Sequence, residues 1–312
     1  MGLLSELRYP TTRRAKLITA TLALIFFTLL ATATISGFLL YRVVSPAPTG
    51  SELDPANLLG RPGVVSFPVP GEEAREGWFF PGQKKAPTII LCHGYKAHRT
   101  ELLTLAIALQ EHQFNVFLFD FSGHGKSGRY TTLGYRETKE LLAAVEAVAQ
   151  RDDIDRSRFG VWGANLGGYA AVAAAAADSR IRAVAVDSVY DEPAQMMLLE
   201  VDRSGLTVLP LVSAFCRVGY KLLNFPHRND APLSQRVAGL AGVAKLFIQA
   251  REAPALAEST LQVFLRSPEP RQQWIVQKAN YGGMMDEEKR VYENHLLSFF
   301  LQALPPAGAR PR

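Results

Sequence analysis

The hydrophobic pattern of the chain changes character twice. From Leu17 to Leu40 no charged residue interrupts an apolar run. At a rise of 1.5 Å per residue, about 24 residues cross a hydrocarbon core of ~30 Å. This stretch predicts a transmembrane anchor over 17–41. From residue 63 onward, short apolar runs bounded by turn residues take over. Gly63–Val69 and Gly77–Phe80 read as two antiparallel strands. Pro87–Cys92, Asn115–Asp120, the run ending at Gly160–Trp162, Ile181–Asp187, Val243–Ile248 and Gln273–Val276 read as further strands, several apolar throughout. Between them, 101–112, 136–150, the stretch after residue 165, 255–265 and 287–304 have helical spacing. Alternating strands and helices predict an α/β fold, a mostly parallel sheet with helices on both faces. The segment 188–236 breaks the alternation and reads as a mainly helical insertion.

Composition sharpens this reading. The chain has 312 residues, 48% of them hydrophobic, and a formal net charge of +5. Arg8, Arg13, Arg14 and Lys16 stand against Glu6 alone, so +3 of that excess precedes the anchor. No basic stripe remains elsewhere, which argues against a nucleic-acid partner. The positive-inside rule puts the N-terminus in the cytoplasm and the main domain beyond the cell membrane. Ala31–Thr32–Ala33 resembles a signal-peptidase site. The apolar run continues past it through Leu40, however, longer than the usual signal core of about 7–15 residues. Cys92 and Cys216 read as free, buried thiols, and no spacing suggests a metal site or a cofactor. The organisation is a basic cytoplasmic N-terminus over 1–16, the anchor at 17–41, a Pro/Ser-rich linker at 42–62, a domain at 63–304 and a disordered tail at 305–312.

The segment Gly163–Ala164–Asn165–Leu166–Gly167 carries the chemical question. An apolar strand runs into it and an alanine-rich helix leaves it. The glycine spacing is that of a nucleophile elbow, G-x-S-x-G, in which Gly163 and Gly167 allow the turn to close. The nucleophile place holds Asn165. An amide has no oxygen that a base can turn into an attacking alkoxide. Asparagine does tolerate the positive φ that an elbow requires.

Together with that elbow, His93–Gly94–Tyr95, Arg99, the Asp120–Gly123–Gly125–Ser127 loop and Asp187–Tyr190 carry a resemblance. From Gly63 to Leu304 the chain resembles the α/β-hydrolase superfamily, in particular membrane-anchored relatives of serine-aminopeptidase and monoglyceride-lipase type enzymes. The resemblance implies an α/β-hydrolase fold with a helical cap at about 188–236. It implies an oxyanion hole built from the backbone amides of Tyr95 and Leu166. It gives His93, Ser122 and Ser127 structural roles, and it places the triad acid at Ala253 and the triad histidine at Tyr281. Glu252 stands one residue early, and His295 lies inside the final helix. All three triad places, Asn165, Ala253 and Tyr281, are therefore substituted, and a lone surviving member would have nothing to act with.

Three function classes follow. The first is a non-catalytic, membrane-anchored homologue that binds a small acyl or carboxylate ligand or a protein partner. The second is an active esterase- or peptidase-like hydrolase with a non-standard site. The third is a purely structural tethered protein. The insertion bears on the first. Leu211, Phe215, Val218 and Leu222 share one face of a helix that begins at Pro210, with Arg217 and Lys221 on another. The first four are expected to form the apolar wall of a lid. Alternatively, the helix lies in a lipid interface with its basic residues at the headgroups.

Overall fold

The computed structural model describes residues 12–47, 62–125, 129–279 and 281–307. The calls on the first eleven residues, on most of the linker, on Ser127 and on the end of the tail lie outside these. The described chain divides into two compact units. One comprises the N-terminal helix together with Met197–Phe225, and the other comprises Val44–Met196 and Pro226 onward.

The larger unit is built on one eight-stranded sheet. Its strands are β1 (Gly63–Phe67), β2 (Arg75–Phe80), β3 (Thr88–Cys92), β4 (Asn115–Phe119), β5 (Phe159–Ala164), β6 (Ile181–Asp187), β7 (Ala244–Ala250) and β8 (Arg271–Val276). They lie in the order β1-β2-β4-β3-β5-β6-β7-β8. β1 and β2 pair antiparallel, and every pair from β4 to β8 is parallel. Parallel strands are covered on both faces, which is why β3, β4 and β5 are buried throughout and read as continuous apolar runs. Leu105 and Leu109 of helix α2 (Leu103–Glu111) and Leu296 and Phe300 of helix α9 (Asp286–Ala303) pack with Ile89, Leu91 and Trp162 on one face. Side chains alternate along each strand. Val161 and Val184 therefore point to the other face, which helices α3 (Tyr135–Ala149) and α4 (Leu166–Ala175) cover.

The smaller unit holds helix α1 (Arg13–Val44), longer at both ends than the 17–41 span expected from hydropathy. Among the described residues it is the one helix long and apolar enough to cross a membrane, with a mean hydropathy of 2.1 over its best window. Two of its hydroxyls are satisfied within the helix. Thr32 and Thr34 donate to the carbonyls of Thr28 and Leu30 at 2.8 and 2.9 Å. Helix α6 (Pro210–Leu223) packs on the end of this helix, with proline in its first turn as the sequence suggests. The Ser36 hydroxyl donates to the Val212 carbonyl, and the Cys216 thiol donates to the Ser36 carbonyl. A side chain at Gly219 would meet Leu40 at 2.9 Å.

The face of α6 that packs within this unit is not the apolar stripe expected to wall a lid. Its buried residues are Val212, Cys216 and Tyr220. Leu211, Val218 and Leu222 are exposed, at 49%, 56% and 68%, and Phe215 is only half-buried. Cys216 and Gly219 let α6 approach α1 closely, and the apolar stripe is left outside that contact.

Candidate active site

Helix α5 (Pro193–Asp202) and the short helix α7 (Leu233–Arg236) complete the insertion. The candidate site lies where β5 turns into α4, within the larger unit. The turn is as tight as the glycine spacing predicts. A Cβ on Gly163 would stand 2.3 Å from the Gly167 carbonyl carbon, and one on Gly167 would stand 2.3 Å from the Cys92 carbonyl oxygen. Neither obstacle is a side chain that could swing aside. Asn165, between them, takes φ 33° and ψ −95°. Its amide N–H donates to the Asp187 carbonyl at 2.8 Å, and its carbonyl accepts from Tyr169 N–H at 2.8 Å. The elbow is fastened to β6 on one side and to the first turn of α4 on the other.

The Asn165 side chain decides what the site does. Its Oδ1 accepts the backbone N–H of Tyr95 at 2.7 Å and that of Leu166 at 2.6 Å. These are the two amides assigned to the oxyanion hole, and the structure brings them together as that assignment requires. It also fills them. The side-chain carbonyl sits where an acyl oxyanion would have to develop, held by a β3-end amide and a helix N-terminus. Both donors are thus engaged by the protein's own side chain in this structure. Gly94 makes room for it, since a Cβ there would lie 3.0 Å from Asn165 Nδ2.

The other two triad places carry structure. Ala253 is the N-cap residue of helix α8 (Pro254–Arg266) and makes no side-chain cap hydrogen bond. Glu252, next to it, turns to the neighbouring loop, where its Oε1 accepts the Ala279 N–H at 2.7 Å. Tyr281 is 2% exposed, with its ring against Trp162 and Tyr292 at centroid distances of 5.6 and 5.5 Å. Its hydroxyl donates to Glu293 at 2.5 Å and pairs with Thr104 at 2.8 Å. Burial, reinforced by the Glu293 carboxylate that accepts its proton, pushes the phenol well above its ordinary range. His295 stacks on Trp274 at 4.1 Å, a packing role.

The histidines near the elbow are held neutral. His93 Nε2 accepts the Phe121 N–H at 3.0 Å and Nδ1 donates to the Gly94 carbonyl at 2.8 Å, so its hydrogen bonds fix the tautomer. Burial pulls both His93 and His124 down to about 4. Ser122 is buried under the same loop, where it donates to Glu140 and accepts from Arg75. Burial, together with the nearby Glu137, pushes Glu140 up to about 7, against the lowering effect of Ser122 and Arg75.

The sequence singled out Asp187 as part of the resemblance and gave it no role. At the end of β6 it is fully buried, and burial pushes its carboxyl up to about 7. It accepts from the Tyr292 hydroxyl at 2.6 Å and from the Ser188 hydroxyl at 2.8 Å. Tyr292 in turn accepts the Trp162 indole N–H at 3.2 Å. The relay ties β5 and β6 to α9 and ends in no exposed group. Among the described residues no cluster of three or more histidines, cysteines or carboxylates could hold a metal.

Eight strands in this order, an elbow at the end of β5 and two amides converging on the elbow residue decide the architecture. The chain has the α/β-hydrolase fold. A family model described as the alpha/beta hydrolase fold matches residues 87–210. An uncharacterised 31.7 kDa protein from the traX–finO intergenic region of Escherichia coli is 31% identical over 126 residues, 39% of this chain and 44% of that protein. The chain thus spans less than half the length of such a relative in the matched region. The uncharacterised protein YfhR of Escherichia coli O157:H7 is 24% identical over 78% of this chain and 81% of its own. Among solved structures, an esterase of Pyrococcus furiosus, Pf2001, superposes with a TM-score of 0.64. Its sequence identity is 19%, and the match covers 83% of this chain and 99% of the esterase. These likenesses establish the α/β-hydrolase fold for this chain.

Proposed function

We propose that this α/β-hydrolase-fold protein is a membrane-anchored pseudo-hydrolase that acts by binding and not by acyl transfer. One observation carries the reading: Asn165 Oδ1 accepts both oxyanion-hole amides, Tyr95 and Leu166. A nucleophile is absent from the elbow, and the position that should stabilise a tetrahedral intermediate is taken by the protein's own carbonyl. Ala253 and Tyr281 provide neither an orienting acid nor a base. An acyl or carboxylate head would have to displace Asn165 to reach these amides.

The anchor reading rests on helix α1 and its flanking charge. Arg13, Arg14 and Lys16 at the N-terminal end outnumber Arg42 at the other, which favours a cytoplasmic N-terminus and an extracytoplasmic main domain. A reporter active only after export, fused behind Arg312, is expected to be active, and a fusion active only in the cytoplasm would overturn the orientation. The full chain in detergent micelles is expected to hydrolyse short acyl esters no faster than a heat-treated sample. Turnover that a single substitution abolishes would overturn the pseudo-hydrolase reading and support an active esterase- or peptidase-like hydrolase with a non-standard site.

A further inference from the structure

The smaller unit exposes apolar surface on two helices, and only one of them is an anchor. Among the described residues, 26 large hydrophobic side chains are exposed, and 20 of them lie in this unit. Twelve of those are on α1, as an anchor requires, and eight lie between Leu206 and Phe225. The other six are scattered singly over the much larger unit, which is normal for a water-facing surface. Val208 is 79% exposed, Leu209 52%, Leu222 68% and Phe225 55%. A concentration of this kind marks a contact with something apolar.

Resting on the reading of α1 as a membrane anchor, we infer that residues 206–225 form a second membrane contact. Its exposed apolar face enters the leaflet into which the C-terminal end of α1 emerges. Three features of the unit point to lipid as the occupant. The first is continuity with the anchor. Val212 and Cys216 meet Ser36 and Gly219 meets Leu40, so α6 is held against the last turns of the apolar run. A face beside those turns is beside the bilayer. The second is the angular layout of α6. At about 100° per residue, Leu211, Val218 and Leu222 fall within an arc of about 40°. Arg217 and Lys221 lie about 100° from that arc and are both exposed. The face packed on α1 takes the remaining side. An apolar stripe bordered by cations is the layout of a helix lying at the headgroup–acyl boundary, about 5–10 Å deep. The third is a limit on depth. Asp202 and Arg203 immediately precede the apolar turn, and Arg203 pairs with Glu200 at 2.6 Å while remaining 70% exposed. Charges in that place hold the segment at the interface and prevent it from crossing.

The test uses the full chain in lipid nanodiscs, where both membrane faces are open to reagent. Both native cysteines are buried, so introduced thiols dominate the labelling. Val208→Cys, Leu222→Cys and Phe225→Cys replace exposed side chains. Each is expected to react with a charged, water-soluble maleimide about tenfold more slowly than Glu258→Cys, an exposed position of the larger unit. A fluorophore attached at these positions is expected to be quenched when the nanodiscs contain brominated acyl chains. Reaction at the Glu258→Cys rate would overturn the inference. Protection without bromine quenching would also overturn it, because a second copy or another protein would then cover the face. Phe27→Cys, at the centre of the anchor, separates the two readings. If Phe27→Cys itself reacts freely, the anchor reading fails and the inference with it. If Phe27→Cys is protected while the three positions react freely, only the inference fails.

Discussion

The turn after β5 and the turns after β7 and β8 have kept different things. At the elbow, Gly163 and Gly167 face backbone atoms at distances no side chain tolerates, and Asn165 sustains a positive φ. These demands come from closing the turn and exist whether or not the residue between the glycines attacks anything. After β7 and β8 the backbone makes no comparable demand on the residue type. Ala253 begins a helix, and Tyr281 fills a space between Trp162 and Tyr292. On the proposed pseudo-hydrolase reading, geometry imposed by the backbone is kept where a catalytic side chain is not, and the side chains at the other two places pack.

Substitutions that exchange the two kinds of position can break this contrast. The largest effect is expected at Gly167→Ala. Its Cβ would stand 2.3 Å from the Cys92 carbonyl oxygen, so β3 or α4 must move, at a cost of about 3 kcal/mol or more. A thermal melt checks it, and a change within ~0.5 kcal/mol would show that the elbow is not rigid. Next comes Tyr281→His, which restores the triad residue type. It removes a buried phenol and its bonds to Thr104 and Glu293, and should destabilise by about 2 kcal/mol. A neutral result would mean that the loop after β8 still accommodates the ancestral chemistry.

Proton linkage gives a subtler comparison. The folded-state values of Asp187 and Glu140 lie above their unfolded ones, each at about 7. Their contribution to stability is complete below about pH 4 and is lost as the pH rises through 7. His93 and His124 are depressed to about 4, so their contribution is complete above about pH 6.5 and is lost as the pH falls through 4. Between about pH 4.5 and 6.5 the loss from the two carboxyls and the gain from the two histidines offset, so stability should be nearly level there and fall from about pH 6.5 to 7. Asp187→Asn removes one of the two falling terms, so its stability should rise with pH across the level range. A variant as level as the wild type would show that the buried carboxyl is not the source. The smallest effect is expected at Ala253→Asp. An aspartate at a vacant N-cap position stabilises a helix, so restoring the triad acid should gain about 1 kcal/mol in denaturant unfolding. A loss there would contradict the account of Ala253 as a free helix start.

Much of the fold was legible in the sequence because its strands are buried on both faces and its turns are marked by glycine. The strand positions, the mostly parallel sheet and the elbow follow from those signals, and the strand order came from the structure. The occupied oxyanion hole was not legible, since it depends on the rotamer that points Asn165 Oδ1 at Tyr95 and Leu166. Nor was the Asp187–Tyr292–Trp162 relay, whose members come from three elements far apart in the chain. The apolar stripe of α6 left two readings open in the sequence, a lid wall and a lipid contact. The unit buries Val212, Cys216 and Tyr220, a face that periodicity alone did not single out.

The most direct test of the central claim is labelling of the full chain by a serine-directed fluorophosphonate, with an Asn165→Ser variant alongside. Both proteins are expected to stay unlabelled at concentrations that saturate an active serine hydrolase. The wild type has no nucleophile at the elbow, and the variant has no base to activate the one it gains. A covalent adduct on the wild-type chain, lost on a single substitution, would contradict the account.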